Sequence, residues 1–402
     1  MKKILIVSHA MELGGAERAL IGLLDAVDYS RVSVDLFLER HSGELLGAIP
    51  KQVRLLPENK AYASMAIPAA QVLKNREFGV ALGRFYAKIK AKSFNKKSGY
   101  KNGFDVVINY SGKYTAPFMP MISDEEYDLV VSFLTPHYYA LKKAHGKVKA
   151  AWIHTDYSAV EIDRDAELKM WSGFDKIISI SDAVTKSFVK TFPELRDKIT
   201  VIENMHPAGY IKEKSDEFDP ESEMPHDGSI ALLSIGRFCT AKNFDNVPFI
   251  CKNLVEKHSL NVKWYIIGYG TDEKLIIDNI AAAGMQDRVI ILGKKVNPYP
   301  YIKRCDFYIQ PSRFEGNAVT VNEALILSKL VVITDYPTSS SQIKNGVNGI
   351  ITGSGNEECA KGTADLIEDS RLQSEIMRNI QNSDFSNSGE AEKFYGLLEK
   401  LK

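Results

Sequence analysis

Two glutamates in residues 311–324 are spaced so that both could act on one ligand. Glu315 stands just before a predicted helix, and Glu323 lies eight residues further on, about two turns into it. At ~100° per residue the two side chains differ by about 80° in azimuth, so both can reach the same molecule. The sequence around Glu323 is almost wholly apolar, and a buried carboxylate needs hydroxyl groups or cations as partners. A ribose diol is one such partner, and free amides of Asn317 and Ala318 at the helix N-terminus could hold phosphate or sugar oxygens.

Two cations follow the first predicted strand of the second half of the chain, residues 230–235. Gly236 lets the backbone turn sharply, after which Arg237 and Lys242 could converge on one anionic group. Arginine offers a planar fork for phosphate oxygens, and lysine offers a compact point charge. Without other signals, two solvated surface cations explain the pair equally well.

The first half of the chain offers weaker signals. Gly14 and Gly15 follow the first strand and open a helix, whose free amides favour an anion, although the glycines could simply form the turn. His154 follows a later strand, where a histidine caps a loop more often than it contacts a substrate. Asp163 and Asp165 could chelate a metal bound to a sugar nucleotide, but this pair is more typical of a solvated helix start.

Composition excludes several classes of protein. The 402 residues carry 51 Lys and Arg against 51 Asp and Glu, and 45% are hydrophobic. These values exclude disorder, collagen and a disulfide scaffold, and zero net charge argues against a general polyanion binder, so we expect no nucleic-acid partner. A phosphate-binding P-loop motif is absent. Gly268 and Gly270 lack the third glycine of a dinucleotide fingerprint, which favours a strand-to-helix turn over a nicotinamide site.

The cysteines and the apolar runs predict a cytoplasmic protein. Cys239, Cys251, Cys305 and Cys359 contain no Cys-x-x-Cys pair, so we expect buried, reduced thiols. The apolar run at residues 4–7 is too short for a secretory signal and is predicted to be the first strand. No uninterrupted run of about 18 apolar residues occurs, so no membrane-spanning helix is expected.

Alternating strand and helix patterns predict two doubly wound parallel sheets. The predicted strands are residues 3–8, 32–38, 127–133, 149–153, 176–180, 199–202, 230–235, 262–267, 288–292, 307–309 and 330–333. An acidic, proline-containing stretch at residues 206–228 predicts a linker between domains at residues 1–205 and 229–382. Residues 383–402 are predicted to form a helix that packs back toward the first domain. We expect a ligand cleft between the domains, facing the carboxyl ends of both sheets.

Taken in order, these features resemble the retaining nucleotide-sugar glycosyltransferases of family 4, which have the GT-B fold of two Rossmann-like domains. The resemblance covers nearly the whole chain. It rests on Gly14 to Glu17, residues 152–156, 177–182 and 201–204, Gly236 with Arg237 and Lys242, the loop at residues 292–298, and Glu315 with Glu323. Residues 316–318 and 336–342 depart from the common family pattern beside the donor sugar and resemble the subset that builds bacterial surface polysaccharides.

The resemblance implies a role for each matched position. Arg237 and Lys242 would stabilise the departing β-phosphate, Glu315 would face the hydroxyls of the donor sugar, Glu323 would bind the ribose, and His154 would contact the sugar or the reacting face. Gly14 and Gly15 would form the loop beside the phosphate and the acceptor. The residues that would line the donor nucleotide are Gly236, Lys295, Val296, Asn317, Ala318 and Val319. No metal or other cofactor is implied beyond a nucleoside diphosphate sugar, with UDP favoured, as co-substrate.

The expected reaction is transfer of a hexose or N-acetylhexosamine to a saccharide or lipid-linked saccharide in cell-surface glycan synthesis. Two alternatives stay open. A sugar-nucleotide epimerase of similar fold, such as a UDP-N-acetylglucosamine 2-epimerase, would bind the same nucleotide without an acceptor. A two-domain solute-binding protein would bind a ligand without turnover.

Residues 78–104 combine cations with an apolar stripe. The segment contains no Asp or Glu, and its cations are Arg84, Lys88, Lys90, Lys92, Lys96, Lys97 and Lys101. The apolar residues recur at helical spacing; they are Phe78, Leu82, Phe85, Tyr86, Ile89 and Phe94. Two interpretations are open: a helix packed into the core with solvated lysines, or a helix on the anionic inner face of the cell membrane.

Overall fold

The computed structural model of the protein describes residues 1–100, 103–158, 160–315 and 318–399. The chain forms two compact units. The first domain comprises residues 1–205 and 387–402, and the second comprises residues 206–386. Within the described ranges, no helix combines the length and the apolar composition needed to cross a membrane.

The first domain is built on a seven-stranded parallel sheet. Its strands are β1 Lys2–Ser8, β2 Val32–Leu38, β3 Arg54–Leu55, β4 Glu126–Ser132, β5 His145–Ile153, β6 Lys176–Ser179 and β7 Ile199–Val201, in the spatial order 3-2-1-4-5-6-7. Alternate residues of β1 supply the cores on both faces: Ile4 and Ile6 pack into one, and Leu5 and Val7 into the other. A strand buried on both faces is apolar over most of its length, which is why its sequence shows no alternation.

Helices cover both faces of this sheet. Between the strands lie α1 Gly15–Ala26, α2 Lys60–Ala63, α3 Ala69–Lys74, α4 Phe78–Ser98, α5 Phe104–Thr115, α6 Tyr138–Lys143, α7 Arg164–Ser172 and α8 Asp182–Thr191. In α4, the buried positions are the small or medium residues Val80, Gly83, Ala87 and Ala91. The large apolar residues predicted as a stripe mostly face outward instead, so core packing does not account for them.

The second domain repeats the architecture with a six-stranded parallel sheet. Its strands are β8 Ile230–Ile235, β9 Val262–Ile267, β10 Val289–Gly293, β11 Phe307–Gln310, β12 Leu330–Thr334 and β13 Ile350–Thr352, in the spatial order 10-9-8-11-12-13. The prediction of two parallel-sheet α/β domains is therefore confirmed. The short edge strands β3 and β13 were not predicted; β3 has only two residues, which are too few to show a period.

The helices of the second domain include one inside the predicted linker. They are α9 Ala208–Ser215, α10 Val247–Glu256, α11 Glu273–Ala283, α12 Tyr299–Arg304, α13 Val319–Ile326, α14 Ser339–Gln342, α15 Asn356–Glu368 and α16 Ser370–Gln381. Residues 206–228 belong to the compact second domain, with Ile211 and Met224 buried in its core. Acidic side chains of this segment form ion pairs with α12, among them Asp219 with Arg304.

The last helix returns to the first domain. Helix α17 (Glu390–Glu399) follows residue 386, and Phe394 is fully buried in the same core as Ile4. The Phe394 ring stacks at 6.3 Å on that of Trp152 at the end of β5. An ion pair of 2.5 Å between Arg31 and Glu392 adds a polar contact at the edge.

The described cysteines are free thiols. Cys251, Cys305 and Cys359 are buried, as expected, whereas Cys239 is only partly buried. Burial raises the pKa of Cys251 and of Cys305 to about 12 and that of Cys359 to about 11, so these three stay protonated at neutral pH.

A buried polar network anchors the segment that follows β5. The Tyr157 hydroxyl donates to Glu167 Oε2 at 2.8 Å, and Trp171 Nε1 donates to the Tyr157 hydroxyl at 3.0 Å. Glu167 is only 5% exposed, and burial raises its pKa from 4.5 to about 7. The folded protein therefore binds this proton more tightly than the unfolded chain does. The stability it contributes is complete below pH 4.5 and is lost as the pH rises to about 7.

We expect Glu167→Gln to flatten the pH dependence of stability, because glutamine accepts the same hydrogen bonds without ionising. The free energy of unfolding of the wild type should fall by about 3 kcal/mol more than that of the variant between pH 4.5 and 8. Urea unfolding at a series of pH values measures this, with Glu375→Gln at an exposed position of α16 as the control. Parallel pH profiles for the wild type and Glu167→Gln would contradict the assignment.

Candidate active site

The strand order of the second domain reverses between β8 and β11. The chain leaves these neighbouring strands toward opposite sides, which opens a crevice at their carboxyl ends. Residues 236–242 follow β8, and residues 311–315 follow β11, so the topology brings together two segments that are more than sixty residues apart in sequence. Ligands of open α/β sheets bind at this position.

An ion pair joins the two segments. Lys242 Nζ lies 2.5 Å from Glu315 Oε1, and the two side chains are 20% and 9% exposed. The same carboxylate oxygen accepts hydrogen bonds from Ser312 Oγ at 2.7 Å and from Gln310 Nε2 at 3.4 Å. The buried charge of Glu315 is thus matched by one cation and two neutral donors. Lys242 and Glu315 were both predicted from the sequence, but as separate ligand contacts rather than as partners.

Hydrogen bonds from side chains to backbone carbonyls, together with a bidentate ion pair, fix the distance between the loop after β8 and the loop after β11. The Arg313 guanidinium contacts both carboxylate oxygens of Asp245, at 2.8 and 2.7 Å, and donates to the carbonyl of Thr240 at 2.7 Å. Asn243 Nδ2 donates to the carbonyl of Pro311 at 2.8 Å. Lys242 lies between Thr240 and Asn243, so these bonds hold its backbone beside Glu315.

Two glycines allow a third loop to approach. A Cβ at Gly268 would lie 1.9 Å from the carbonyl oxygen of Gly236, and one at Gly270 would lie 2.2 Å from that of Phe238. The loop after β9 therefore packs directly on the backbone after β8. This close contact supports the interpretation of Gly268 and Gly270 as a structural turn.

Arg237 remains available for a ligand. Its side chain is exposed, and among the described residues it forms no hydrogen bond or ion pair. Lys242 is neutralised by Glu315, whereas the charge of Arg237 is uncompensated. The loop after β8 thus carries an exposed cation that forms no ion pair within the described part of the chain, at the position where the sequence analysis expects a phosphate.

Glu323 is buried in α13 and is 1% exposed. The Tyr299 hydroxyl, from α12, donates to its Oε1 at 3.0 Å. Tyr308 lies in the same region, and burial, together with the charges of Glu323 and Glu315, raises the pKa of its phenol. The sequence analysis missed Tyr299, because a tyrosine 24 residues away shows no signal until the helices are packed.

The N-terminus of α13 differs from the expectation in one respect. The amide of Ala318 was expected to be free, but it donates to Gln342 Oε1 at 3.0 Å, and Gln342 Nε2 donates back to the carbonyl of Ala318 at 3.1 Å. This amide is thus already satisfied. Val319 begins the helix and is partly buried, while Asn317 lies outside the described residues.

The loop at residues 292–298, predicted to line the donor nucleotide, contacts the acidic segment of its own domain at residues 206–228. Lys295 Nζ forms an ion pair of 2.6 Å with Glu223, and the Tyr301 hydroxyl donates to the other oxygen of that carboxylate. Val296 is 57% exposed. The structure therefore leaves Val296 accessible to a ligand, whereas the charge of Lys295 is held by Glu223.

In the first domain, the helix N-terminus predicted to bind an anion faces a carboxylate of its own helix. A Cβ at Gly14 would lie 2.1 Å from Glu17 Oε2, so the carboxylate folds over the Gly14 backbone. Gly15 is the first residue of α1. Burial raises the pKa of Glu17 against the opposing effects of a backbone hydrogen bond and of His9.

His154 is one of three histidines near the carboxyl ends of β1, β4 and β5. Its ring stacks on Trp152 at 5.9 Å, its buried Nε2 has no hydrogen-bond partner among the described residues, and burial lowers its pKa to about 3. The sequence analysis missed His9 and Glu39, which lie 3.0 Å apart just after β1 and β2. Their position at strand ends is a signal that could have found them. Burial lowers the pKa of His9, but the charge and hydrogen bond of Glu39, together with the Thr135 backbone and Glu17, raise it overall.

The acidic pair considered for metal binding is part of a helix start. Asp163 precedes α7 and accepts a hydrogen bond from the Ala166 amide at 3.2 Å and another from the Tyr110 hydroxyl at 2.6 Å. Asp165 is exposed in the first turn. In the part of the chain that the structure describes, no cluster of three or more His, Cys, Asp or Glu residues is arranged to hold a metal ion.

The ion pair predicts a stability effect. We expect Lys242→Met to lower the free energy of unfolding of the second domain by about 2–4 kcal/mol, because it leaves the buried Glu315 without a cation. Adding Glu315→Gln should recover part of the loss. The control Lys274→Met removes an ion pair with Asp278 whose side chains are 85% and 57% exposed, and should cost under about 0.5 kcal/mol. Equal urea midpoints for Lys242→Met and Lys274→Met would rule out a stabilising role for the pair.

Comparison with known proteins agrees with this architecture. Residues 215–383 match the family described as Glycosyl transferases group 1. An uncharacterised glycosyltransferase of Methanocaldococcus jannaschii is 25% identical over 177 residues, which are 44% of this chain and 43% of that protein. The N-acetylgalactosamine-N,N'-diacetylbacillosaminyl-diphospho-undecaprenol 4-alpha-N-acetylgalactosaminyltransferase of Campylobacter jejuni is 26% identical over 144 residues, 35% of this chain and 38% of that enzyme. The chain thus spans less than half the length of these two relatives.

The likeness in structure is more extensive. The crystal structure of HepE from Anabaena in complex with UDP-glucose superposes with a TM-score of 0.65 at 16% identity, over 99% of this chain and 100% of that one. It belongs to the GT-B glycosyltransferases that are similar in fold to this chain. The second domain therefore contains the region that matches Glycosyl transferases group 1, and the two domains have the GT-B fold that the sequence predicts.

Proposed function

We propose that this protein is a retaining glycosyltransferase of family 4. It transfers a hexose or N-acetylhexosamine from a nucleoside diphosphate sugar, with UDP as the favoured nucleotide, to a saccharide acceptor in cell-surface glycan synthesis. The observation that carries the proposal is the contact of Lys242 with Glu315 beside the unpartnered Arg237, within the region that matches Glycosyl transferases group 1.

The chemistry requires stabilisation of a leaving group. The bond between C1 of the sugar and an oxygen of the β-phosphate breaks, and a bond between C1 and the acceptor oxygen forms on the same face. The acceptor proton passes to an oxygen of the departing phosphate. Negative charge therefore grows on the β-phosphate, and fixed cations such as Arg237 and Lys242 lower the barrier without having to reorganise.

In this proposal the two carboxylates and the histidine bind the donor by hydrogen bonds, and none of them attacks the sugar as a nucleophile. Glu315 accepts hydrogen bonds from sugar hydroxyls, while its bond to Lys242 keeps the ammonium group in place. Glu323, oriented by Tyr299, accepts hydrogen bonds from the ribose. His154 is a neutral hydrogen-bonding group for the sugar, because its pKa of about 3 leaves it uncharged at physiological pH. No metal ion has a role in this mechanism.

We expect Arg237→Ala to lower kcat by about 100-fold while leaving stability unchanged, because the side chain is exposed and unpartnered. Release of nucleotide from a panel of sugar nucleotides, with a saccharide acceptor present, measures the rate. Arg371→Ala, at an exposed position in α16, is the matched control and should turn over like the wild type. Full activity of Arg237→Ala would remove this residue from the phosphate site.

The same assay tests the other elements of the proposal. Activity should persist in EDTA, and complete loss would overturn the metal-free mechanism. A product anomer opposite to that of the donor would overturn retention. Interconversion of UDP-N-acetylglucosamine with its epimer without nucleotide release would identify an epimerase, and tight binding without any turnover would identify a binding protein.

We expect UDP to raise the melting temperature of the second domain more than GDP does. Glu323→Gln should weaken UDP binding by about tenfold or more, because a charged acceptor for the ribose hydroxyls becomes a neutral one. Isothermal titration calorimetry measures the change, with Glu375→Gln as the exposed control. Unchanged UDP affinity in Glu323→Gln would show that the carboxylate has only a structural role.

A further inference from the structure

The outer face of α4 carries a row of large apolar side chains that continues into lysines. Phe78, Leu82, Phe85 and Ile89 are 64%, 60%, 64% and 49% exposed. The next two positions of the row, Lys92 and Lys96, are exposed as well. Four adjacent apolar residues exposed to this degree are unusual in a soluble domain, where large apolar patches mark interaction sites.

The row is straight along the helix. Its members are spaced alternately by four and three residues, so at ~100° per residue all six lie within about 80° of one another. At ~1.5 Å per residue the row is about 27 Å long. One side of a single helix thus presents an apolar half followed by a cationic half.

The packing of α4 explains why these side chains face outward. Its inner face consists of Val80, Gly83, Ala87 and Ala91, all buried. A Cβ at Gly83 would lie 2.6 Å from the carbonyl oxygen of Tyr114 in α5, so the two helices are in close backbone contact. The space beneath α4 accepts only small residues, and the large ones are left on the outside.

We propose that this row, defined as Phe78, Leu82, Phe85, Ile89, Lys92 and Lys96, binds the surface of an anionic lipid bilayer. The helix lies parallel to the bilayer, with the apolar side chains inserted below the headgroups. The long aliphatic stems of the lysines let their ammonium groups reach lipid phosphates. This inference does not depend on the proposed transferase activity.

Charge favours a membrane over a second copy of the chain. The sequence from residue 78 to residue 104 contains cations but no Asp or Glu. A symmetric dimer through this row would bury Lys92 and Lys96 without any carboxylate from the same helix to pair with them, which is costly. Anionic headgroups supply many negative charges at once, and each lysine near such a surface adds to the attraction.

Co-sedimentation with lipid vesicles tests the proposal on the full chain. Vesicles of phosphatidylglycerol and phosphatidylcholine should bind the protein at low salt, and vesicles of phosphatidylcholine alone should bind it far more weakly. Binding should fall at high salt, because the headgroup charges are screened. Equal binding to both kinds of vesicle, or binding to neither, would overturn the proposal.

Double variants distinguish the contribution of the lysine charges to vesicle binding from that of apolar insertion. Lys92→Ser with Lys96→Ser should lower the partition coefficient about 30-fold, at about 5-fold per lysine. Lys186→Ser with Lys190→Ser, at exposed positions of α8 in the same domain, should leave it unchanged. A loss of equal size in both double variants would mean that net charge, rather than this row, determines binding.

The apolar half of the row has its own control. Phe85→Ser with Ile89→Ser should lower partitioning about tenfold or more, whereas Leu275→Ser with Ile277→Ser, at positions of α11 that are 47% and 51% exposed, should not. The emission of Phe85→Trp should shift to the blue on vesicles and be quenched by brominated lipid tails.

Two results would overturn the assignment of the row to a bilayer. A wild-type dimer in sedimentation equilibrium that Phe85→Ser with Ile89→Ser converts to monomer would indicate a second copy. Vesicle binding with no blue shift for Phe85→Trp would exclude insertion of the row. Because none of these measurements depends on turnover, failure here and failure of the proposed glycosyl transfer are distinguishable.

Discussion

A carboxylate that leaves water has to be matched by donors, and this requirement organises the second domain around Glu315. Its partners come from β11, from the loop after β11 and from the loop after β8. The contact between Lys242 and Glu315 holds the loop after β8 beside the loop after β11. The exposed ion pair between Arg313 and Asp245 joins the same two loops a second time. The strand order opens the crevice, and the donors that satisfy this one buried charge hold its two loops together. Arg237, in the loop after β8, is exposed and forms no ion pair among the described residues.

The sequence predicts the framework because strands buried on both faces are largely apolar and show no alternation, and the few polar residues within them, such as Asp35, are paired. For β2, β8 and β9 the predicted and observed bounds are the same. The edge strand β3, with two residues, falls below the length at which such a pattern is readable. Composition was misleading at residues 206–228, whose acidic residues suggest a solvated linker. Their charges are matched by cations of the second domain, such as Arg304 and Lys295, which no local pattern reveals.

Site residues could be predicted where residue type and strand end coincide, but their partners could not. Lys242 and Glu315 are 73 residues apart, and only the order of the strands brings them together. The same reasoning explains why Tyr299 and Gln342 were missed. The two domains also treat similar positions differently: in the first, Glu17 folds over the glycine turn after β1, whereas in the second, the corresponding turn after β8 exposes Arg237.

The inner face of α4 has a consequence for how this helix can change in evolution. Helix α4 contacts α5 through glycine and alanine. The stability of this helix pair therefore depends on close backbone approach and hardly at all on the large outward residues. Substitutions in the outer row are therefore decoupled from folding. Related chains could exchange this surface for a different one, adapted to another environment, without a compensating change in the core.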